Sequence, residues 1–190
     1  MTIGLLGSLF IAMAVVFIIA FYFIATYNGL VTFRNRVRNQ KSQIDVELKR
    51  RFDLVPNLVE TVKGYAEHEK STLDDVIKAR NSYVTASSDT AASLKADDAL
   101  SGALSKLFAL AENYPDLKAN TNFMSLQNDL ASIEQKIVYS RQFYNDSVFM
   151  LNNKIEMFPS NIVAGMFGFT REEFFEALAS ERENVKVSFK

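Results

Sequence analysis

The chain has 190 residues, with 21 Lys and Arg against 22 Asp and Glu. That balance gives no overall basic footprint for nucleic acid. The absence of cysteine excludes disulfide frameworks, thiolate metal sites and cysteine nucleophiles. Seven glycines and three prolines argue against a loop-rich or all-β chain. The near-zero mean hydropathy averages two unlike parts, because no charged side chain occurs before Arg34.

Ile3 to Ala25 is a continuous apolar run. As a helix its about 23 residues reach about 34 Å, enough to cross a ~30 Å hydrocarbon core. A cleaved signal peptide would need a positive leader, a shorter run and a small-residue cleavage site. No Lys or Arg precedes this run, and it ends in Phe21-Tyr22-Phe23-Ile24-Ala25-Thr26-Tyr27, so residues 1–27 are expected to be a retained transmembrane anchor. Tyr22 and Tyr27 would sit in the interfacial aromatic belt. Arg34, Arg36, Arg38 and Lys41 follow on the exit side. The positive-inside bias places that side in the cytoplasm and the amino terminus outside. These four residues either touch anionic headgroups or act only as a topology signal. Gly4, Ser8 and Ala12 have the spacing that lets two spans approach closely.

Residues 28–190 read as one soluble helical domain. Leu30, Phe33, Val37, Ile44, Leu48 and Phe52 step by three, four or seven, one face of a helix that continues from the span. Pro56 is expected to interrupt it, because a proline disfavours helical geometry in the residue before it. If Pro56 only bent the helix, the order of up and down segments would change and the carboxyl end would lie far from the bilayer. A second helical pattern runs through Val55, Leu58, Val59, Val62, Leu73, Val76 and Ile77, broken around Glu67 to Ser71. Ser87 to Thr90 reads as a polar loop. A third pattern covers about Ala92 to Asn113 and stops before Pro115. The fourth runs from Asn122 to Phe158, with Phe123, Leu130, Ile133, Ile137, Tyr144, Val148 and Leu151 on its stripe. Short connections between such stripes predict an all-α, up-and-down antiparallel four-helix bundle; a coiled coil between chains is the rival.

Beyond Pro159 the pattern changes. Residues 159–190 form a carboxyl-terminal strap, in which Thr170 and Glu173 resemble a capping box opening a short helix to about Ser180. Ile162, Met166, Phe167 and Phe169 either cover the end of the bundle or touch the bilayer. Asp45, Arg51, Asp53, Asn57 and Glu60 are the densest polar group beside Pro56. They read as caps and ion pairs at a helix junction, or as a partner-docking site.

At these strings the chain resembles the LemA family. The resemblance rests on Tyr27-Asn28-Gly29-Leu30-Val31, Ser42-Gln43-Ile44-Asp45-Val46-Glu47-Leu48 and Asp53-Leu54-Val55-Pro56-Asn57-Leu58-Val59-Glu60. It continues through Ala111-Glu112-Asn113-Tyr114-Pro115-Asp116-Leu117-Lys118-Ala119-Asn120, Tyr144-Asn145, Phe158-Pro159-Ser160 and Phe167-Gly168-Phe169. It implies a bacterial membrane protein with one amino-terminal span and an up-and-down four-helix domain. It also implies kinship with magnetosome membrane proteins, and no known enzymatic activity.

The residues themselves offer little chemistry. His68 is the one imidazole, so neither a two-histidine zinc motif nor a paired Glu-x-x-His di-iron motif can form. No phosphate-cradling glycine loop and no nucleophile elbow occur. No cofactor or metal is expected. The expected function is a non-enzymatic scaffold or interaction module of the bacterial inner membrane. Its partners would be the lipid bilayer, further copies of itself and unidentified membrane or cytoplasmic proteins. The alternative is an accessory subunit of a membrane-associated enzyme or signalling complex.

Overall fold

The computed structural model describes residues 2–66, 68–86 and 90–175. Among them every regular element is a helix: α1 (Thr2–Lys63), α2 (Lys70–Ala86), α3 (Thr90–Ala111), α4 (Pro115–Lys118), α5 (Thr121–Glu156) and α6 (Ser160–Met166). The chain is therefore all-α, with one long apolar amino-terminal helix followed by further helices. It divides into two compact units, one of residues Met1–Gln43 with Tyr139–Lys190, the other of Ile44–Val138.

α1 begins as the apolar run and changes character without a break. Leu9, Phe10, Ile11, Phe17, Ile18 and Phe21 are exposed, and this stretch is long and apolar enough to cross a membrane. From Leu30 onward one stripe turns inward, with Leu30, Val37, Ile44, Leu48, Phe52, Val55, Leu58 and Val62 buried. Each such side chain contributes on the order of 2 kcal/mol of apolar burial, which selects one face of the helix. The boundary expected at residue 27 falls inside α1. The close approach expected of Gly4, Ser8 and Ala12 rests partly on side chains outside the described residues.

Pro56 does not interrupt the chain; it lies within α1. Proline has no N–H to give the carbonyl four residues back, which here is Phe52 O. Arg80 Nε of α2 donates to that oxygen instead, at 3.3 Å. The helix ends at Gly64, where Tyr65 N and Ala66 N both donate to Val62 O. The break expected at Pro56 does not occur, and α1 runs on to Lys63, close to the separate break expected around Glu67 to Ser71.

In the Ile44–Val138 unit α1 packs on α2 through Phe52 and Tyr83, whose rings stack at 3.9 Å. Leu100, Leu104 and Leu107 of α3 and Phe123, Leu130, Ile133 and Ile137 of α5 complete the core. Pro115 opens α4 at the first helical position, where a missing N–H does no harm. Asn120 then caps α5: Asn122 N and Phe123 N donate to its Oδ1 at 2.9 and 3.1 Å.

In the other unit Tyr144, Val148 and Leu151 of α5, Leu30 and Val37 of α1, and Val163 and Ala164 of α6 are buried. α6 ends on Gly168, at φ +67. Phe169 N donates to Ala164 O and Gly168 N to Gly165 O, the paired bonds that close a helix over a left-handed residue. Residues 171–175 are not helical, so the capping box at Thr170 and Glu173 does not open a helix there. Side chains of α5 take up the backbone groups that such a helix would have used. The rest of that expected helix, to Ser180, lies outside the described residues.

Candidate functional site

α6 is divided by burial. Ser160, Val163 and Ala164 face inward, whereas Ile162 and Met166, one turn apart, are exposed. Met157 and Phe158 precede them and Phe167 follows, and these three are more than half exposed. Among the described residues, Met157, Phe158, Ile162, Met166 and Phe167 are thus large exposed apolar side chains in and around α6. The Tyr27 ring, where the apolar stretch of α1 ends, meets Phe167 at 4.7 Å and Phe169 edge-on at 5.9 Å. An unbroken α1 across Pro56 therefore does not carry this segment away from the foot of the apolar stretch, contrary to the expectation that tied the two together.

Phe169 is buried, sandwiched between Tyr27 and the Arg34 guanidinium, whose carbon lies 4.9 Å from the ring centre. Arg34 Nε is buried and has no hydrogen-bond partner among the described residues; the ring face takes that place. Arg36 Nη1 approaches Met150 Sδ at 4.0 Å. Arg38 and Lys41 are exposed, and Tyr22 and Tyr27 are just over one third exposed. Apolar surface, tyrosines and cations thus lie together where α1 loses its apolar character.

Beside this surface α5 holds the segment 171–175. Asn152 Nδ2 donates to Glu172 O at 2.9 Å, and Glu172 N donates back to Asn152 Oδ1 at 3.0 Å. Asn145 repeats the arrangement with Phe175, at 2.9 and 2.8 Å. Tyr144 Oη donates to Glu173 O, and its ring meets Phe175 edge-on at 4.8 Å. Burial first, then the Glu172 and Glu173 carboxylates, push the Tyr144 phenol above its ordinary value. Arg171 Nε pairs with Glu156 at 2.9 Å. In the sequence Asn145 stood out only within the family-like Tyr144-Asn145, and Asn152 had no assigned role. The available signal was two asparagines seven apart, next to the buried stripe positions Tyr144 and Leu151.

The polar group around Pro56 does not form one site. Asp45 and Asn57 are exposed. Asp53 pairs with Lys49 at 3.1 Å and Glu60 with Lys63 at 3.9 Å, both on the surface of α1. Arg51 alone turns inward. Its Nη1 lies 2.9 Å from Asp97 and 3.0 Å from Glu134, and its Nη2 donates to Ser101 Oγ at 2.8 Å. Arg51 and Asp97 are almost fully buried, beside a cavity of about 350 Å³ that Ser105, Phe108 and Gln127 also line. The stripes gave no sign of a polar constellation inside the helices, yet one exists. Its trace was Arg51 standing on the inward face between Leu48 and Val55. His68 is exposed.

The chain was compared with known proteins. A sequence model of the LemA family matches residues 40–189. Protein LemA of Metamycoplasma hominis is 29% identical over 171 residues, covering 88% of this chain and 77% of that protein. Magnetosome protein MamQ 2 of Paramagnetospirillum magneticum is 27% identical, covering 81% of this chain and 67% of the relative. Magnetosome protein MamQ of Magnetospirillum gryphiswaldense is 25% identical, covering 88% and 72%.

Proposed function

The chain belongs to the LemA family, and we propose that it is a non-catalytic, membrane-anchored helical module that grips the bilayer twice, once with α1 and once with α6. The observation that carries this reading is the contact of Tyr27 with Phe167, which sets the exposed Ile162, Met166 and Phe167 beside the end of the apolar stretch. Exposed apolar side chains gain free energy in the interface, and tyrosines and arginines settle at headgroup level. Arg36, Arg38 and Lys41 then face anionic headgroups, each worth about 1 kcal/mol near the surface. By the positive-inside bias the same cations support a cytoplasmic position for the helical domain, at the inner membrane of a bacterium. A reporter fused after Lys190 is expected to be active only in the cytoplasm.

Arg51 and its partners have a structural role in this reading. The guanidinium is matched by the Asp97 and Glu134 carboxylates and the Ser101 hydroxyl, which ties α1 to α3 and α5. Relatives named as magnetosome proteins support a membrane-associated part for this chain.

The absence of cysteine allows a direct test. Single thiols introduced by Met166→Cys and by Asp45→Cys are compared in full-length protein in lipid nanodiscs, using a charged maleimide. The thiol at position 166 is expected to react about tenfold more slowly than the one at 45, as an interfacial residue should. Equal rates would remove the second grip.

A further inference from the structure

We propose that Arg34 is the binding site for one phosphodiester group, that of a phospholipid headgroup in the leaflet where α1 ends its apolar stretch. This rests on the reading that α1 crosses the membrane. Arg34 makes no ion pair and no hydrogen bond to any described residue. Its Nε is buried, and the two Nη atoms, which have no partner either, keep some exposure. The Phe169 ring lies 4.9 Å from the guanidinium carbon. Such a contact is attractive but brings no negative charge. No Asp or Glu precedes Asp45 in α1. A partly desolvated guanidinium thus keeps open donors and a positive charge without a counter-ion. A phosphate matches that fork with two parallel hydrogen bonds.

Depth selects the anion. Arg34 lies nine residues beyond Ala25, about 13 Å along the helix. A helical side chain leans back over the preceding turn, so its head comes about 5 Å nearer the hydrocarbon edge. That is the outer part of a headgroup layer about 5–8 Å thick. The stacking agrees with this lean: Tyr27 meets Phe169 at 5.9 Å, and Phe169 meets the guanidinium in turn. Phe169 is held in place by its N–H bond to Ala164 O at 3.0 Å, next to the left-handed Gly168. The closure of α6 therefore sets the platform against Arg34 before any lipid arrives. Arg38 and Lys41, four and seven residues on, share the face of Arg34 and are exposed. They add positive charge above the same headgroup, whereas Arg36 lies on another face, toward Met150. A carboxylate would have to come from another protein, but every phospholipid of the leaflet presents a phosphodiester at this depth.

The test uses the full-length chain in an uncharged detergent, with phosphatidylglycerol added and bound lipid counted by native mass spectrometry. One lipid is expected to stay on each chain, and diacylglycerol with the same tails is expected not to. Arg34→Gln is expected to weaken retention about twentyfold or more, because charge-assisted hydrogen bonds are lost. Arg36→Gln removes the same charge from another face and is expected to cost about fivefold at most. Arg34→Lys keeps the charge without the fork and is expected to fall between the two. It carries the test if the denaturation midpoint shows that Arg34→Gln does not fold. Equal losses at positions 34 and 36, full retention by Arg34→Lys, or retention of diacylglycerol each overturn the site. Inorganic phosphate distinguishes the source: displacement of the lipid at a comparable concentration assigns Arg34 to a free anion and overturns the headgroup. The thiol at position 166 reads the second grip separately. A protected thiol together with equal losses refutes the phosphate site and leaves that reading standing.

Discussion

Gly168 occupies the left-handed region at φ +67, and a Cβ built there meets nothing within 4 Å. The strain of a side chain would therefore be purely conformational. Gly168→Ala is expected to destabilise the fold by about 1–2 kcal/mol, read as a lower denaturation midpoint with an unchanged slope. Tyr144 gives a second prediction at this scale. Its phenol pKa is raised from 10.0 by burial and by Glu172 and Glu173. The folded state holds that proton more tightly than the unfolded state, so the contribution is intact below about pH 10 and is lost as pH rises through the raised value. Denaturation midpoints taken between about pH 9 and pH 11 are expected to fall for the native chain more than for Tyr144→Phe. Neither residue's role was legible beforehand. Gly168 was visible only as a break in an apolar string. Tyr144 sat on a helical stripe, where an aromatic is ordinarily core, and its hydroxyl partner lies 29 residues away.

Among the elements, α1 shows why a proline need not end a helix. The position is exposed, and the carbonyl that Pro56 leaves open is taken by Arg80 from α2. Arg80→Ala is expected to destabilise by about 1–2 kcal/mol, and by clearly less when combined with Pro56→Ala, which returns the missing N–H to Phe52 O. Equal effects in both backgrounds would break this link. The Arg51 network ties α1 to α3 and α5 in the same unit. Arg51→Leu removes the guanidinium from the buried Asp97 carboxylate and is expected to destabilise by about 3–5 kcal/mol; Arg51→Leu with Asp97→Leu recovers much of it. Helix existence was readable from the sequence because it depends on the 3.6-residue period of the apolar stripes, which runs within each segment. Two boundaries were not. Rescue of Pro56 depends on Arg80, 28 positions from the Phe52 carbonyl that it takes. The helix expected from Thr170 gives way to a segment whose Glu172 and Phe175 N–H groups are taken by Asn152 and Asn145, which lie on another element.

For the whole molecule, a charge-free beginning was enough to read an apolar helix long enough to cross a membrane. The second grip was not readable, because it depends on bringing Tyr27 and Phe167 together across 140 positions of chain. The buried stripes, the family match to residues 40–189 and the contact at Tyr27 support one account. In it α6 returns to the bilayer that α1 crosses, and Asn145 and Asn152 of α5 hold the segment that follows. The chain contains no tryptophan, so Phe167→Trp creates a single reporter at the centre of that claim. Its fluorescence is to be measured in full-length protein reconstituted into vesicles with lipids brominated at successive depths. The account predicts blue-shifted emission quenched most strongly by bromines near the headgroups, as for other interfacial aromatics. Emission at the wavelength of water-exposed tryptophan, unaffected by bromine at any depth, would contradict it.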